Sequence, residues 1–188
     1  RFNILMIFAL LVINNFGRPR LLKFYTHVAE QRQQQIVLEL FSVLSSRSEA
    51  ACCLTDGSAW FGSDVRVIYR QYATLYFAVA IDSNESVLGI LDLIQVLVEA
   101  LDANFKSVCE LDLIFKLDEV HHLVDEMFVG GMVAETSLQE ILDAVHAQKQ
   151  FISQDSEVDF APLQVLKQSA GSGAVGEAAK SLLSRMGI

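Results

Sequence analysis

The order of apolar and polar residues in the first half of the chain predicts a set of β-strands. Met6 to Ile13 is continuously apolar, which is typical of a central strand covered on both faces. Asn14 to Gly17 supplies turn residues before a second apolar run, Leu21 to Tyr25, so these two runs predict a hairpin. Three further strands are predicted, a weak one near Cys52 and two strong ones at Val65 to Arg70 and Thr74 to Ile81.

Apolar residues at spacings of three and four predict helices between and after these strands. Gln33 to Ser45 has the single apolar stripe of a helix that lies on a sheet. The helix predicted from Ser86 to Asn104 differs, because apolar residues cover almost its whole circumference. A helix on its own sheet needs one apolar face only, so a second cover is expected, and in a chain this short we assign it to another protein. Three helices are predicted downstream: a short one from a capping box of Ser107 and Glu110 to Phe115, one at Leu117 to Val129, and a last core helix starting at Ser137.

Composition and charge narrow the choice of partners. The 188 residues are 52% hydrophobic and carry a formal net charge of −9. This charge argues against nucleic acid as a partner and against unaided binding to anionic lipid, because both would repel the protein. The longest N-terminal apolar stretch, Ile4 to Ile13, is only about half as long as a bilayer-spanning helix, so the apolar excess is expected in a core or an interface. Three cysteines without a framework spacing indicate a reducing cytosol.

The same patterns divide the chain into one domain and two ends. Residues 6–148 are predicted to form a single domain. Arg1 to Leu5 precedes the regular pattern and is expected to be a non-native or disordered extension. Beyond Gln148 the pattern decays into Ser, Gln, Gly and Ala, so residues 149–188 are predicted to be a mostly flexible tail.

The sequence around the candidate catalytic and ligand-binding motifs does not support those functions. Gly171 to Gly176 matches the glycine fingerprint of dinucleotide-binding loops, but no strand precedes it and Glu177 stands where a phosphate-binding loop needs lysine. His121 and His122 are adjacent on a predicted helix, so their side chains diverge and cannot share one metal ion. The sequence carries no nucleophile elbow. It therefore predicts a protein that is not an enzyme and has no metal site and no cofactor.

Four longer segments are more specific than any of these short motifs. They are Asn14 to Tyr25 (NNFGRPRLLKFY), Ile68 to Phe77 (IYRQYATLYF), Val108 to Phe115 (VCELDLIF) and Asp125 to Phe128 (DEMF). In this order, and across about Met6 to Gln148, they resemble the sigma (small) subunits of the heterotetrameric clathrin-adaptor complexes. The resemblance implies an α+β, longin-like fold with a five-stranded antiparallel sheet flanked by helices. Three segments resemble the sigma subunits of adaptor complex 3 in particular: Asn14-Asn15, Gly89 to Val96 and Gly130 to Thr136.

The resemblance also implies partners and a role. A large adaptin of the delta type would supply the second cover on the Ser86 to Asn104 helix, and beta and mu subunits would complete the complex. In the family, sigma and large subunits together bind acidic dileucine sorting signals in cargo tails: an Asp or Glu, three variable residues, then Leu-Leu or Leu-Ile. The implied role is vesicle-mediated transport from Golgi and endosomes to the lysosome or vacuole. The implied location is the cytoplasm, peripheral on Golgi and endosomal membranes and cytoplasmic vesicles.

The family's cargo pocket maps onto residues from both halves of the chain. Its leucine-binding part corresponds to Ala73, Leu75, Val98, Val108 and Leu113, and its basic residue to Arg20. Ser107 takes a pocket position that is usually asparagine, and its hydroxyl is expected to be used in the cap with Glu110, which would cost a contact to the peptide. A buried leucine is worth roughly 1.5–3 kcal/mol and an exposed acid near Arg20 about 0–1 kcal/mol, so the leucines should dominate affinity.

Two alternatives remain beside this interpretation. Within the same class, the chain could be the sigma subunit of another adaptor complex or the related coatomer zeta subunit. From a different class, a free longin-type regulator of membrane fusion or of a small GTPase would predict a heptad-bearing helix after the domain. The tail, with its Gly and Ser, does not supply such a helix.

Overall fold

The computed structural model describes residues 7–47 and 53–158, with the backbone alone for residues 153–158. Its main element is a five-stranded antiparallel sheet in the order β2-β1-β5-β4-β3. The strands are β1 (Ile7–Asn14), β2 (Pro19–Phe24), β3 (Leu54–Asp56), β4 (Val65–Tyr72) and β5 (Leu75–Asp82). The predicted α+β class with a five-stranded antiparallel sheet is confirmed, and Cys52, near which the weak strand was expected, lies outside the described residues.

Helices follow or connect these strands in the described part of the chain. They are α1 (Glu30–Ser45), α2 (Ser58–Phe61), α3 (Val87–Phe105), α4 (Glu110–Phe115), α5 (Leu117–Met127) and α6 (Leu138–Val158). Five of the six correspond to predicted helices, and the single turn α2 has no predicted counterpart. Ser86 is the N-cap of α3, where its side chain accepts a hydrogen bond from the backbone N–H of Gly89, so the start of this helix agrees with the prediction.

Alternate residues of the sheet face two separate apolar cores. In β1, Leu11 belongs to the first core, which α1 covers, and Leu10 belongs to the second, which α3 and α5 cover. The second core also receives Ile141 and Val145 from α6. β1 is an inner strand of the sheet and is buried on both faces, as its continuous apolar run predicts.

α3 is buried along one face, which packs on the sheet and on α5 of the same chain. The buried residues of α3 are Ile90, Leu93, Ile94, Leu97, Ala100 and Leu101. They share one core with the sheet and with Leu123 and Val124 of α5. α5 thus supplies part of the cover on this helix, and the expectation that another protein covers the remaining apolar side stays a prediction. Leu88 of α3 stays 73% exposed.

Gly130 and Gly131 form a hairpin turn rather than a simple helix end. α5 stops at Met127, and Phe128–Val129 (β6) pairs with Met132–Val133 (β7). The prediction of helix as far as Val129 is wrong, because a tight turn at the two glycines needs extended backbone on both sides. The backbone N–H of Ile7 donates to the carbonyl of Gly131 at 2.7 Å, so this hairpin fixes the start of β1.

α6 extends beyond the predicted end of the domain. It runs to Val158, so residues 149–158 of the predicted tail are helical. One compact unit ends at Val145, and His146 begins a second. The predicted extension at residues 1–5 and the predicted tail from residue 159 lie outside the described residues. Within the described ranges, no helix combines the length and the apolar character that crossing a membrane requires.

Candidate functional site

An open cavity of about 290 Å³ lies where the β4–β5 turn, the second half of α3 and the start of α4 meet. Its lining includes five of the seven residues that the resemblance assigns to a cargo pocket: Ala73, Leu75, Val98, Val108 and Leu113. The other two, Arg20 and Ser107, do not line it. Folding thus brings side chains from three separate segments of the chain to one cavity.

The cavity has an apolar floor and an accessible apolar wall. Leu113, Leu101 and Phe77 are 1%, 2% and 3% exposed and form the floor. Leu75 and Val98 are half-buried, so parts of both side chains still face water. An aliphatic side chain of a ligand would displace water from this wall, which is favourable. The chemistry of the lining therefore suits one or two aliphatic side chains.

Left-handed backbone at two turns shapes the cavity. Ala73, in the turn between β4 and β5, has φ +50°. Lys106 ends α3 with φ +54°, and Ser107 follows with φ +86°. Two successive left-handed residues redirect the chain away from the axis of α3 before α4 begins, and the N–H of Val108 donates to Oδ1 of Asp102 at 3.0 Å. Positive φ is uncommon outside glycine, and none of these three residues is glycine. Local sequence therefore did not indicate left-handed backbone at these turns.

An ion pair and its hydrogen bonds form the polar rim of the cavity. Arg20 Nε donates to Oε1 of Glu110 at 2.7 Å, and Nη2 of the same guanidinium lies 2.6 Å from that oxygen. Asn14 Nδ2 donates to the same oxygen at 2.9 Å, while the Thr74 hydroxyl lies 3.5 Å from Oε2. The hydrogen bond from Asn14, and next that from Arg20, lower the pKa of Glu110, so this carboxyl is ionised at neutral pH. Arg20 reaches the cavity through Glu110, which is part of the lining.

The structure contradicts the predicted role of Ser107 in a helix cap. Ser107 is exposed, and its left-handed backbone differs from the extended backbone of an N-cap. Cys109 is the N-cap of α4, and the carboxylate of Asp112 accepts from its N–H at 3.0 Å and from its thiol at 3.2 Å. The hydrogen bond from Lys116, and next that from Cys109 N–H, lower the pKa of Asp112 to about 2. Glu110 therefore takes no part in the cap and pairs with Arg20.

The polar rim could not be predicted from local sequence. Asn14 and Glu110 are 96 residues apart, and Asn14 has the sequence context of an ordinary turn residue. Asn14 is only 2% exposed, and its Oδ1 accepts from the N–H groups of Phe16 at 3.0 Å and Arg18 at 2.8 Å.

In residues 7–47 and 53–158, no group of three or more His, Cys, Asp or Glu side chains could hold a metal ion.

The fold and the cavity together define a class of protein, a longin-like α+β domain with an apolar cavity on one side of its sheet. The chain belongs to the clathrin adaptor complex small chain family, whose sequence model matches residues 6–151. The match spans all five strands of the sheet and every segment that lines the cavity.

Individual relatives come from animals, an amoeba and a yeast. The chain is 48% identical to the human AP-3 complex subunit sigma-2 over 162 residues, 86% of this chain and 84% of the relative. It is 53% identical to the AP-3 complex subunit sigma of Dictyostelium discoideum over 135 residues, 70% and 79% of the two chains. For the AP-3 complex subunit sigma of Schizosaccharomyces pombe, the identity is 50% over 143 residues, 76% and 86%.

A structural relative has the same fold. It is a chain in a homology model of the full-length AP-3 complex in a stretched open conformation. The similarity has a TM-score of 0.62 at 37% sequence identity and covers 81% of this chain and 99% of that chain. At this identity and coverage, the similarity extends beyond the sheet to the helices around it.

Proposed function

We propose that this chain is the sigma subunit of an adaptor protein complex 3 and that its cavity, together with the large subunit, binds acidic dileucine signals of membrane cargo. The observation that carries the proposal is the apolar cavity that joins Leu75, Val98 and Leu113 beside the Arg20–Glu110 pair. Relatives at 48–53% identity that are AP-3 sigma subunits support the choice of complex 3 over the other adaptor complexes and coatomer.

The size and lining of the cavity support a short apolar ligand. A volume of about 290 Å³ lies at the lower end of the ligand-pocket range of roughly 300–1,000 Å³. Two leucine side chains, each worth roughly 1.5–3 kcal/mol when buried, would supply most of the affinity. A single signal would then bind weakly, and stable recruitment to a membrane would need several contacts of the complex at once.

Exposed apolar residues on α4 support an assembled protein. Leu111, Ile114 and Phe115 are 59%, 41% and 80% exposed on a six-residue helix next to the cavity. Large apolar side chains clustered on a surface mark interaction sites. We assign this patch and Leu88 of α3 to contacts with a delta-type large subunit, with beta and mu subunits completing the complex. The chain would act without catalysis, peripheral on Golgi and endosomal membranes and on vesicles bound for the lysosome or vacuole.

Affinity purification tests the assembly. The chain, purified from native cytosol, should bring with it a delta-type large subunit in equal amount. Recovery as a solitary monomer would contradict the proposal and favour a free longin-type regulator.

Two charge-introducing variants on one helix test the cavity. In the co-expressed complex, Val98→Asp places a carboxylate on the apolar wall and should weaken binding of a dileucine peptide about tenfold or more. The control is Ala103→Asp, which adds the same charge at an exposed position of α3 and should leave the affinity unchanged. Fluorescence anisotropy with a labelled peptide measures both.

A second variant separates the binding site from assembly. Leu75→Ser, on β5, changes the same apolar wall without adding charge and should also weaken binding of the peptide. If complexes with either variant assemble and bind the peptide as tightly as the unmodified complex, the cavity is not the cargo site.

A further inference from the structure

The Arg20 side chain is already paired inside this chain. It is 17% exposed, and two of its nitrogens lie within 2.7 Å of one carboxylate oxygen of Glu110. Hydrogen bonds between a guanidinium and a carboxylate are charge-assisted and are among the stronger ones in proteins. An acidic residue of a bound peptide would therefore meet a guanidinium whose charge is largely balanced.

The fold holds Glu110 in this position. Oε1 of Glu110 also accepts from Nδ2 of Asn14, whose Oδ1 accepts in turn from the N–H groups of Phe16 and Arg18 in the β1–β2 turn. Glu110 is the first residue of α4, where the positive end of the helix favours a negative side chain. The carboxylate cannot leave Arg20 without losing these interactions.

The second carboxylate oxygen of Glu110, Oε2, makes fewer contacts than Oε1. Oε2 has one long contact, 3.5 Å to the hydroxyl of Thr74, and the Glu110 side chain is 27% exposed at the cavity rim. A peptide carboxylate that approached Arg20 would come close to this negative oxygen. Two carboxylates close together repel each other, and this repulsion offsets the attraction between the peptide carboxylate and the guanidinium.

We infer that Glu110 is a specificity-determining residue of the cavity, because it reduces the advantage that an acidic residue gives to a dileucine ligand. The inference rests on the proposed function, since it concerns the same cavity and the same class of ligand. In this arrangement the leucines of the peptide determine which ligand binds. The carboxylate of Glu110 limits the affinity that an acidic residue of the peptide adds. Glu110 acts through Arg20, so it is a positioning residue for the polar part of the ligand.

A pair of peptides and a small set of variants test this. The peptides are dileucine peptides that differ only in Glu or Gln at the acidic position, and the measured quantity is the ratio of their affinities for the assembled complex. Glu110→Gln keeps the length and an acceptor for Asn14, and should raise the ratio in favour of the acidic peptide about two- to fivefold. Glu126→Gln removes a charge from an exposed position of α5 and should leave the ratio unchanged.

Arg20→Gln provides a test that does not depend on the folding of the Glu110 variant. With the guanidinium gone, Glu110 alone faces the peptide, so the ratio should reverse and favour the Gln peptide. The double variant, Arg20→Gln with Glu110→Gln, should bring the ratio close to one. Higher salt should shrink all of these differences, because the rim is partly exposed.

Each result bears on the inference. An equal loss of affinity for both peptides in Glu110→Gln would assign this residue a structural role only and overturn the inference. A ratio unchanged in both single variants would overturn it while leaving the proposed function in place. Failure of every complex to bind either peptide would overturn both, whereas binding of both peptides by the unmodified complex, together with a higher ratio in Glu110→Gln, would support both.

Discussion

The two faces of the sheet are built from the same alternating residues but differ in how they are closed. On the first face, α1 covers Leu11 and its neighbours, and small residues such as Ala78 and Ala80 leave room for close packing. Aromatic side chains, including Phe41, Tyr76 and Trp60, pack at its margin. On the second face, α3, α4, α5 and the start of α6 share the cover, and the cavity lies between α3, α4 and the β4–β5 turn.

The difference shows that the cavity comes from a connection between helices rather than from a shortage of apolar residues. The second core contains more large buried side chains than the first, yet it is the one with the cavity. The cavity exists because the left-handed residues Lys106 and Ser107 separate α4 from α3. The polar rim then sits where the β1–β2 turn meets the start of α4.

Leucine truncation in each core should give the largest effects and should separate the two faces. Leu40 on α1 is 0% exposed, and Leu40→Ala should lower stability by about 2–5 kcal/mol, because it leaves a void in a closed core. It should leave peptide affinity per folded complex unchanged, because α1 lies on the opposite face from the cavity. Native-state hydrogen exchange of β1 peptides in the complex measures the change in stability. Fluorescence anisotropy measures the affinity for the dileucine peptide.

Leu101→Ala is the matched change on the other face. Leu101 is 2% exposed and lines the cavity, so its truncation should enlarge the cavity and alter peptide affinity as well as stability. If Leu40→Ala changed peptide affinity as much as Leu101→Ala did, the two faces would not be independent.

Two adjacent glycines allow a smaller and sharper test on the second face. A Cβ at Gly131 would lie 2.6 Å from the carbonyl oxygen of Ile7, whereas a Cβ at Gly130 would have no atom within 4 Å. Both residues have positive φ, so both alanine variants carry backbone strain. Gly131→Ala should therefore be less stable than Gly130→Ala by about 1–3 kcal/mol.

Hydrogen exchange at the start of β1 and in β6–β7 would measure this difference. An equal loss of stability in the two variants would mean that the hairpin does not pack against the start of β1 as closely as its hydrogen bond to Ile7 indicates.

The smallest expected effect is the pH dependence of the rim. The pKa of Glu110 is lowered in the folded chain, so its contribution to stability is complete above its usual value of 4.5 and is lost as the pH falls through the lowered pKa. The unmodified chain should exceed Glu110→Gln in local stability of α4 by about 0–1 kcal/mol at neutral pH. This difference should shrink below pH 4.5.

Hydrogen exchange of α4 amides at several pH values gives the measurement, with Glu126→Gln as the control for loss of a surface charge. A difference that grew at acid pH would have the wrong sign for a carboxyl whose pKa is lowered by folding.

Much of the architecture followed from local pattern. The continuous apolar run of β1, the alternation in β5 and the single stripe of α1 predicted these elements within a few residues, because each depends on the spacing of apolar side chains along its own segment. The β6–β7 hairpin did not follow, because Gly130 and Gly131 suit a helix end as well as a turn. The cavity residues followed only from the family resemblance, and their role in binding cargo stays a prediction.

The amino-acid sequence alone was enough to predict the five strands of the main sheet, the helices other than α2, the apolar faces of these elements, and the resemblance to adaptor small subunits. These properties depend on the period of the backbone and on neighbours a few residues away. The tertiary structure alone decided that α5 covers α3, that Cys109 rather than Ser107 caps α4, and that Glu110 pairs with Arg20. Those contacts join residues far apart in sequence or depend on left-handed turns without glycine, and the free energy that selects them exists only once the sheet and helices have packed.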